Sequence, residues 1–458
     1  MFAPARTLWL LAAFLFCSVL TLQYPLSTTF PIGGDTTRYI LKLLEVKDIT
    51  SLLTNTWYPG MQIFFSVSTL LPLSWPERFI WWMVLGHLFT AVSLAVLLNR
   101  LHSWRSAAAG MALWSLTVVT LTPHVQDATL AQAWSLGFVV LCLYEVTRGS
   151  LFGAVAMAFL ATITHPLSGA VLLLTLSISL PAFLMLQAWR FSALSITSTI
   201  LSIALAIRYY EASLAFPPDS FTLSTTDVLK SSLGPFLLLG LIGLITFFKS
   251  KRIPNVGIVL ISSFMLVSLL LTFNNYLEIT VLINRFQSYA VITGVILAAL
   301  GLPTVLRMAF SSTVLQSIIA ILLFASAGFY TWQDNAPIFH YYESPSRYGR
   351  LSTEEQAAIE WMKNNLPKSS VIVSTKRNRH SEWVPILSGR SWVGLSENDV
   401  LWQTSTTDLP TYIASKPYTH AVFFRSREKA SERFSAGVTL FPVIFENKGA
   451  TIIKLKQP

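Results

Sequence analysis

The sequence predicts an α-helical polytopic membrane protein of about eleven transmembrane helices, followed by a C-terminal extracytoplasmic α/β domain. Three observations carry this. The 458 residues are 53% hydrophobic and 12% charged, more apolar surface than a water-soluble fold of this length hides, so lipid solvates most of the chain. Charge is unevenly spread: residues 1–330 hold 16 Lys/Arg and 10 Asp/Glu, and the last 128 hold 16 and 12. The apolar runs are long enough to cross a bilayer and are separated by polar turns. The expected division is a membrane body over 1–330 and a soluble tail over 331–458, beginning near Trp332. The first outer loop, 25–78, is expected to carry interfacial helices.

Taken in order, the first span is expected over 7–24. Arg6 precedes it, and no small-x-small cleavage site stands before Gln23-Tyr24-Pro25, which favours a retained span over a signal peptide. Further spans are expected near 79–98, 106–122, 130–146, 150–164, 167–188, 191–209, 233–248, 255–273, 288–306 and 312–330. The segment 58–73 is different: it opens with Pro59-Gly60, is short, and carries Gln62, Ser66, Ser68 and Thr69.

Charge decides how that segment lies. With 58–73 along the outer surface, the cytoplasmic turns hold 9 basic residues (Arg6, Arg100, Arg105, Arg148, Arg190, Lys249, Lys251, Arg252, Arg307) against one acid, Glu145. If it crossed, only 5 basic residues would remain inside and 11 would fall outside, against the positive-inside rule. The first arrangement puts the N-terminus in the cytoplasm and the tail outside. It also collects Asp35, Asp127, His165, Glu278 and Arg285 on one outer face.

The tail reads as a small α/β domain. Ser352-Thr353-Glu354-Glu355 marks a helix start, and Ala357–Leu366 a helix stopped by Pro367. Val371–Ser374 and Ala421–Phe424 have strand composition, and Val438–Phe445 with Ala450–Leu455 a closing hairpin around Glu446-Asn447-Lys448-Gly449.

The formal charge of +10 does not imply nucleic acid, because basic residues flanking spans account for it. Cys17 and Cys142 lie inside apolar runs and read as packed thiols. No HExxH, CxxC or DxD pattern occurs.

The chemistry-bearing candidates lie at the outer ends of the spans. Asp35 either caps the helix that starts near Thr36 or acts as a general base on an acceptor hydroxyl, with Arg38 one turn on to orient it. Asp127 opens an inward span, where an acid also complements the helix dipole, and His124 stands three residues before it. His165-Pro166 fills the turn between two spans; the histidine either caps or donates to a phosphate. Arg285 either anchors its span or binds an anionic head group, and Glu278 lies on the same face. Acids and cations together at the bilayer edge suit a base, a stabilised phosphate leaving group and a donor too apolar to leave the membrane.

On several motifs the chain resembles the GT-C superfamily, polytopic glycosyltransferases that use polyprenyl- or dolichyl-phosphate sugars. The motifs are Asp35-Thr36-Thr37-Arg38-Tyr39, Trp57-Tyr58-Pro59-Gly60, Asn99-Arg100-Leu101, Gln126-Asp127-Ala128, Thr164-His165-Pro166-Leu167 and Asn284-Arg285-Phe286. The likeness is nearest to the aminoarabinose transferase and protein O-mannosyltransferase branch. It implies an inverting transferase of the cell envelope that moves a sugar from a polyprenyl-phosphate donor to a glycan, lipid or protein acceptor at the outer face. Asp35 and Asp127 map to catalytic acids, and His165 and Arg285 to the groups that hold the lipid phosphate. Arg38, Tyr58, His124 and Glu278 complete the substrate-binding set. A divalent cation, Mg or Mn, is compatible with that chemistry. The tail lacks a Trp-Trp-Asp motif, which argues against block transfer to asparagine.

The alternative reading is a transporter or flippase of a lipid-linked or anionic solute, which would want charges near mid-membrane and paired broken helices. A non-catalytic envelope scaffold is a third.

Overall fold

The computed structural model describes residues 3–28, 31, 36–45, 59–116, 129–197, 237–273, 283–341, 351–375, 379–395, 401, 409–424 and 441–456. Within them, seven helices are long and apolar enough to cross a membrane. The helices of the body are α1 (Ala3–Ser27), α2 (Thr36–Glu45), α3 (Pro59–Val67), α4 (Trp75–Leu101), α5 (Trp104–Ser115) and α6 (Leu130–Thr147). They continue as α7 (Leu151–Thr164), α8 (Pro166–Met185), α9 (Leu237–Lys249), α10 (Asn255–Thr272), α11 (Ile283–Ala309) and α12 (Thr313–Tyr341). The helical start at 189–197 agrees with the span expected over 191–209, whose remainder lies outside the described residues.

Helix boundaries depart from the hydropathy windows where capping chemistry intervenes. α4 begins at Trp75 rather than 79, because Ser74 and Glu77 close a capping box with Pro76 in the first turn. Hydropathy does not register such polar first turns. α3 has nine residues and passes into a 3₁₀ turn at Ser68–Leu70. At about 1.5 Å per residue it is far shorter than the ~30 Å hydrocarbon core, in accord with a surface helix.

The helices pack closely. Where α9 crosses α11, a Cβ added at Gly243 would lie 1.8 Å from the Leu297 carbonyl oxygen, so the backbones meet at a distance only glycine permits. Phe16 of α1 meets Phe324 of α12 edge to face, and Gln23 donates to the Trp332 carbonyl at 2.8 Å. The expected body–tail division at 331 falls inside α12, which runs unbroken to Tyr341.

The tail is a five-stranded mixed sheet in the order β2-β1-β3-β5-β4, with β1 (Val371–Thr375), β2 (Ser391–Leu395), β3 (His420–Phe424), β4 (Val443–Glu446) and β5 (Ala450–Lys454). β2, β1 and β3 are parallel; β3–β5 and β4–β5 are antiparallel. The hairpin is thus present, with its first strand starting at Val443. β2 is the strand that sequence reading missed: Ser391-Trp392-Val393-Gly394-Leu395 is short and directly follows a glycine-arginine turn. The helices are α13 (Thr353–Asn365), α14 (Trp383–Ser388) and α15 (Leu409–Ala414).

Strand alternation sorts the tail into two faces. Val373, Ala421, Phe423 and Ile453 pack with Leu395, Ile413 and Tyr418 on one. Ile372, Val422, Phe424 and Ile452 pack with α13 and α14 on the other, and that cluster continues into Tyr24, Tyr39, Ile40 and Met61 of the body. The turn Ser388-Gly389-Arg390 holds the tail together, because the buried Arg390 guanidinium donates to the Lys363 and Leu366 carbonyls at the end of α13, at 2.6 and 2.7 Å. It also donates to the Ser388 carbonyl at 3.0 Å.

Candidate active site

Charge patterning grouped two sets of turns, and the structure gathers each at its own end of the bundle. At one end Arg100 donates to the Thr147 carbonyl, Arg252 to the His102 carbonyl and Ser250 to the Leu101 carbonyl. These are the turns expected to face the cytoplasm. The candidate site belongs to the other end.

Of the residues singled out in sequence, Arg38 and His165 are fully described. Asp35, Tyr58, His124, Asp127 and Glu278 lie outside the described residues; Arg285 sits in the first turn of α11, with its side chain outside them. The described neighbours of these positions converge. Tyr39, four residues beyond Asp35, accepts at its hydroxyl from the Ala131 backbone N–H at 3.4 Å, and Ala131 is four residues beyond Asp127. Gln62 donates to the Tyr39 carbonyl at 3.3 Å, joining α3 to α2.

Gly60, two residues beyond Tyr58, lies against Ile163, two residues before His165. A Cβ there would meet Ile163 Cγ1 at 2.7 Å and its carbonyl carbon at 2.9 Å. Ser168, three residues beyond His165, bonds the Tyr289 hydroxyl at 2.6 Å, and Tyr289 is four residues beyond Arg285. Ser168 also bonds Ser135 of α6 at 2.6 Å. The Ser135–Ser168–Tyr289 chain is buried and ties together α6, α8 and α11 near their N-termini.

These three helices run in the same direction, so the positive ends of their dipoles share one end of the bundle. Neither α6 nor α8 has a side-chain cap: Thr129 and His165 occupy the N-cap positions without making one. The buried hydroxyls of Thr129 and Thr164 have no hydrogen-bond partner among the described residues. The capping reading of His165 therefore fails for its side chain. Its backbone does the local work instead, accepting from Ser168 N–H at 2.9 Å and Gly169 N–H at 3.3 Å. The imidazole is buried at the break between α7 and α8. Buried hydroxyls and an imidazole around aligned helix N-termini form a surface suited to an anion.

Arg38 is exposed on α2, which also contacts the tail: Thr37 donates to the Glu382 carboxylate. Ser135, Ser168, Tyr289 and Thr129 escaped sequence reading, because hydroxyls inside apolar runs carry no local pattern; Glu382 is one of 12 acids in the last 128 residues, and nothing local marks it. Among the described residues no group of three or more His, Cys, Asp or Glu could hold a metal ion. The described residues thus do not supply a divalent-cation site.

Solved structures share this architecture. ArnT from Cupriavidus metallidurans in the apo state aligns with TM-score 0.62 at 11% identity, over 99% of this chain and 100% of that one. The same protein bound to undecaprenyl phosphate aligns with TM-score 0.56 at 12% identity, over 99% of each chain. The archaeal oligosaccharyltransferase AglB from Archaeoglobus fulgidus, in complex with an inhibitory peptide and a dolichol-phosphate, aligns with TM-score 0.54 at 12% identity, over 91% of this chain and 69% of that one.

The fold is that of the GT-C glycosyltransferases. No protein-family model matches the sequence, and a search of curated proteins finds no match. At such identities the likeness establishes the fold alone.

Proposed function

We propose that the protein is a membrane glycosyltransferase that moves one sugar from a polyprenyl-phosphate-linked donor to an acceptor hydroxyl at the membrane edge, with inversion. The supporting observation is the convergence of the segments bearing Asp35, Tyr58, Asp127, His165 and Arg285, through Tyr39–Ala131, Gly60–Ile163 and Ser168–Tyr289. The alignment with a protein bound to undecaprenyl phosphate agrees with a lipid-linked donor.

In this reading Asp35 takes the proton from the acceptor hydroxyl, whose oxygen attacks the anomeric carbon. The bond from that carbon to the phosphate oxygen breaks, and polyprenyl phosphate leaves with the electron pair. His165, Arg285 and the N-termini of α8 and α11 stabilise the charge that grows on the phosphate, an effect worth ~3 kcal/mol per preorganised donor. Asp127 is the second acid of the site. Arg38, Tyr58, His124 and Glu278 hold donor and acceptor, the α3 segment walls the acceptor groove, and the tail, bonded to α2 through Glu382, selects the acceptor. The tail lies on the extracytoplasmic side.

The test is Asp35→Asn assayed with a radiolabelled polyprenyl-phosphate sugar and envelope extract as acceptor source. Transfer should be lost while the purified variant keeps the wild-type elution volume and melting point. Full transfer by the variant would remove Asp35 from the mechanism, and solute counterflow in liposomes without any turnover would favour a carrier.

A further inference from the structure

The opposite end of the bundle holds a cleft of about 520 Å³ lined by Val96, Asn99, Arg100, Tyr144 and Arg252. It lies between the C-terminal turns of α4 and α6 and the turn joining α9 to α10, away from the helix N-termini of the candidate active site. Its lining is mostly polar, with Val96 as the apolar member. Val96, which lines it, is 37% exposed, and Val92, one turn away on α4, is 41% exposed.

The cations of this cleft are not matched by acids. The ion pairs among the described residues are Lys42–Glu45 and Arg148–Glu145, so neither Arg100 nor Arg252 has a carboxylate within salt-bridge distance there. Each is aimed by one backbone carbonyl, Arg100 by Thr147 at 3.4 Å and Arg252 by His102 at 2.6 Å. A guanidinium has five N–H donors, so most of each fork is left for another ligand. Burial holds the His102 imidazole below its ordinary protonation range, and Arg307 and Arg252 add to the effect. Arg100 and Arg252 are exposed, yet they line one cleft together with Val96, Asn99 and Tyr144.

We propose that this cleft binds the phosphate of an anionic phospholipid, with Arg100 and Arg252 as the phosphate ligands, Asn99 and Tyr144 beside the headgroup, and the acyl chains along Val92 and Val96. Guanidinium forks match phosphate oxygens in geometry and charge. The exposed Val92 and Val96 beside the arginines favour a lipid over a soluble phosphate. A zwitterionic lipid would bring its own ammonium into a field already positive.

The experiment is native mass spectrometry of the full chain released from detergent with phosphatidylglycerol, phosphatidylcholine or inorganic phosphate added separately. Phosphatidylglycerol should be retained, and retention should fall at least about tenfold in Arg100→Gln/Arg252→Gln, the loss expected for charge-assisted hydrogen bonds. Arg105→Gln, which leaves the cleft lining intact, should keep it. Val96→Trp, which crowds the lining without touching charge, should weaken retention; this variant and a decline with rising salt in the wild type test the site even if the double variant does not fold. Equal retention of phosphatidylcholine, retention of phosphatidylglycerol that is indifferent to both the double variant and Val96→Trp, or arginine-dependent binding of inorganic phosphate alone would each overturn the proposal.

Discussion

Tyr289→Phe removes one buried hydroxyl and nothing else. The Tyr289 side chain is fully buried, and its hydroxyl bonds Ser168 Oγ at 2.6 Å. Ser168 keeps Ser135 as a second partner at 2.6 Å, so losing the Tyr289 bond does not strand the serine, and the cost of that bond is about 1 kcal/mol. Ser168→Ala takes out the middle of the chain. Ser135 keeps its bond to the Gln132 carbonyl at 3.0 Å, so the expected cost is about 2 kcal/mol. With the Ser168 hydroxyl gone, Tyr289→Phe has less left to lose. The double variant should therefore fall short of the sum by about 1 kcal/mol. Equilibrium unfolding in detergent, followed by tryptophan fluorescence, measures the cycle. Additivity within ~0.3 kcal/mol would show that α8 and α11 are not coupled through this contact. Because the contact lies one turn from both His165 and Arg285, binding of polyprenyl phosphate should weaken in Tyr289→Phe as well.

Gly60→Ala should force α3 away from α7, since the added methyl meets the Ile163 backbone as well as its side chain; a lowered melting point reflecting about 1–3 kcal/mol is expected, with only partial rescue by Ile163→Ala. Arg390→Lys should destabilise the tail by about 2 kcal/mol, because an ammonium cannot reproduce the fork on the Lys363 and Leu366 carbonyls; a melting curve of the full chain reports it. Thr37→Val should loosen the tail from α2 and speed limited proteolysis between them, while Glu382→Gln, which can still accept from Thr37, should not. Burial, with Lys454 alongside, pushes the His420 imidazole from 6.5 down to about 4. Between those values the unfolded chain binds a proton that the folded tail does not. Stability is thus complete above the unfolded value and is lost as pH falls toward the folded one; melting curves at pH 7 and pH 5 should show it, with a smaller difference in His420→Gln.

Much of the architecture was legible in sequence. Apolar length located α1, α4, α6, α8, α10, α11 and α12, and the Ser352–Glu355 capping box located α13. Charge counting sorted the turns into two groups, and the packing of Arg100, Arg252 and His102 at one end agrees with that sorting. These features are local: a run of leucines, a cap or a cluster of arginines states its solvent preference within one or two turns. The start of α4 and the strand β2 were misjudged for the same reason, since a polar first turn and a short strand after a turn give weak local signals.

The site was legible only as a set of polar residues at span ends. Its assembly rests on Tyr39 meeting Ala131 across 92 residues, Ser168 meeting Tyr289 across 121, and Thr37 meeting Glu382 across 345. Hydropathy says that a helix crosses the bilayer, but lipid surrounds every helix alike and does not choose its neighbours. That choice falls to glycine contacts, buried hydroxyl pairs and the shape of facing surfaces, which exist only once the chain has folded.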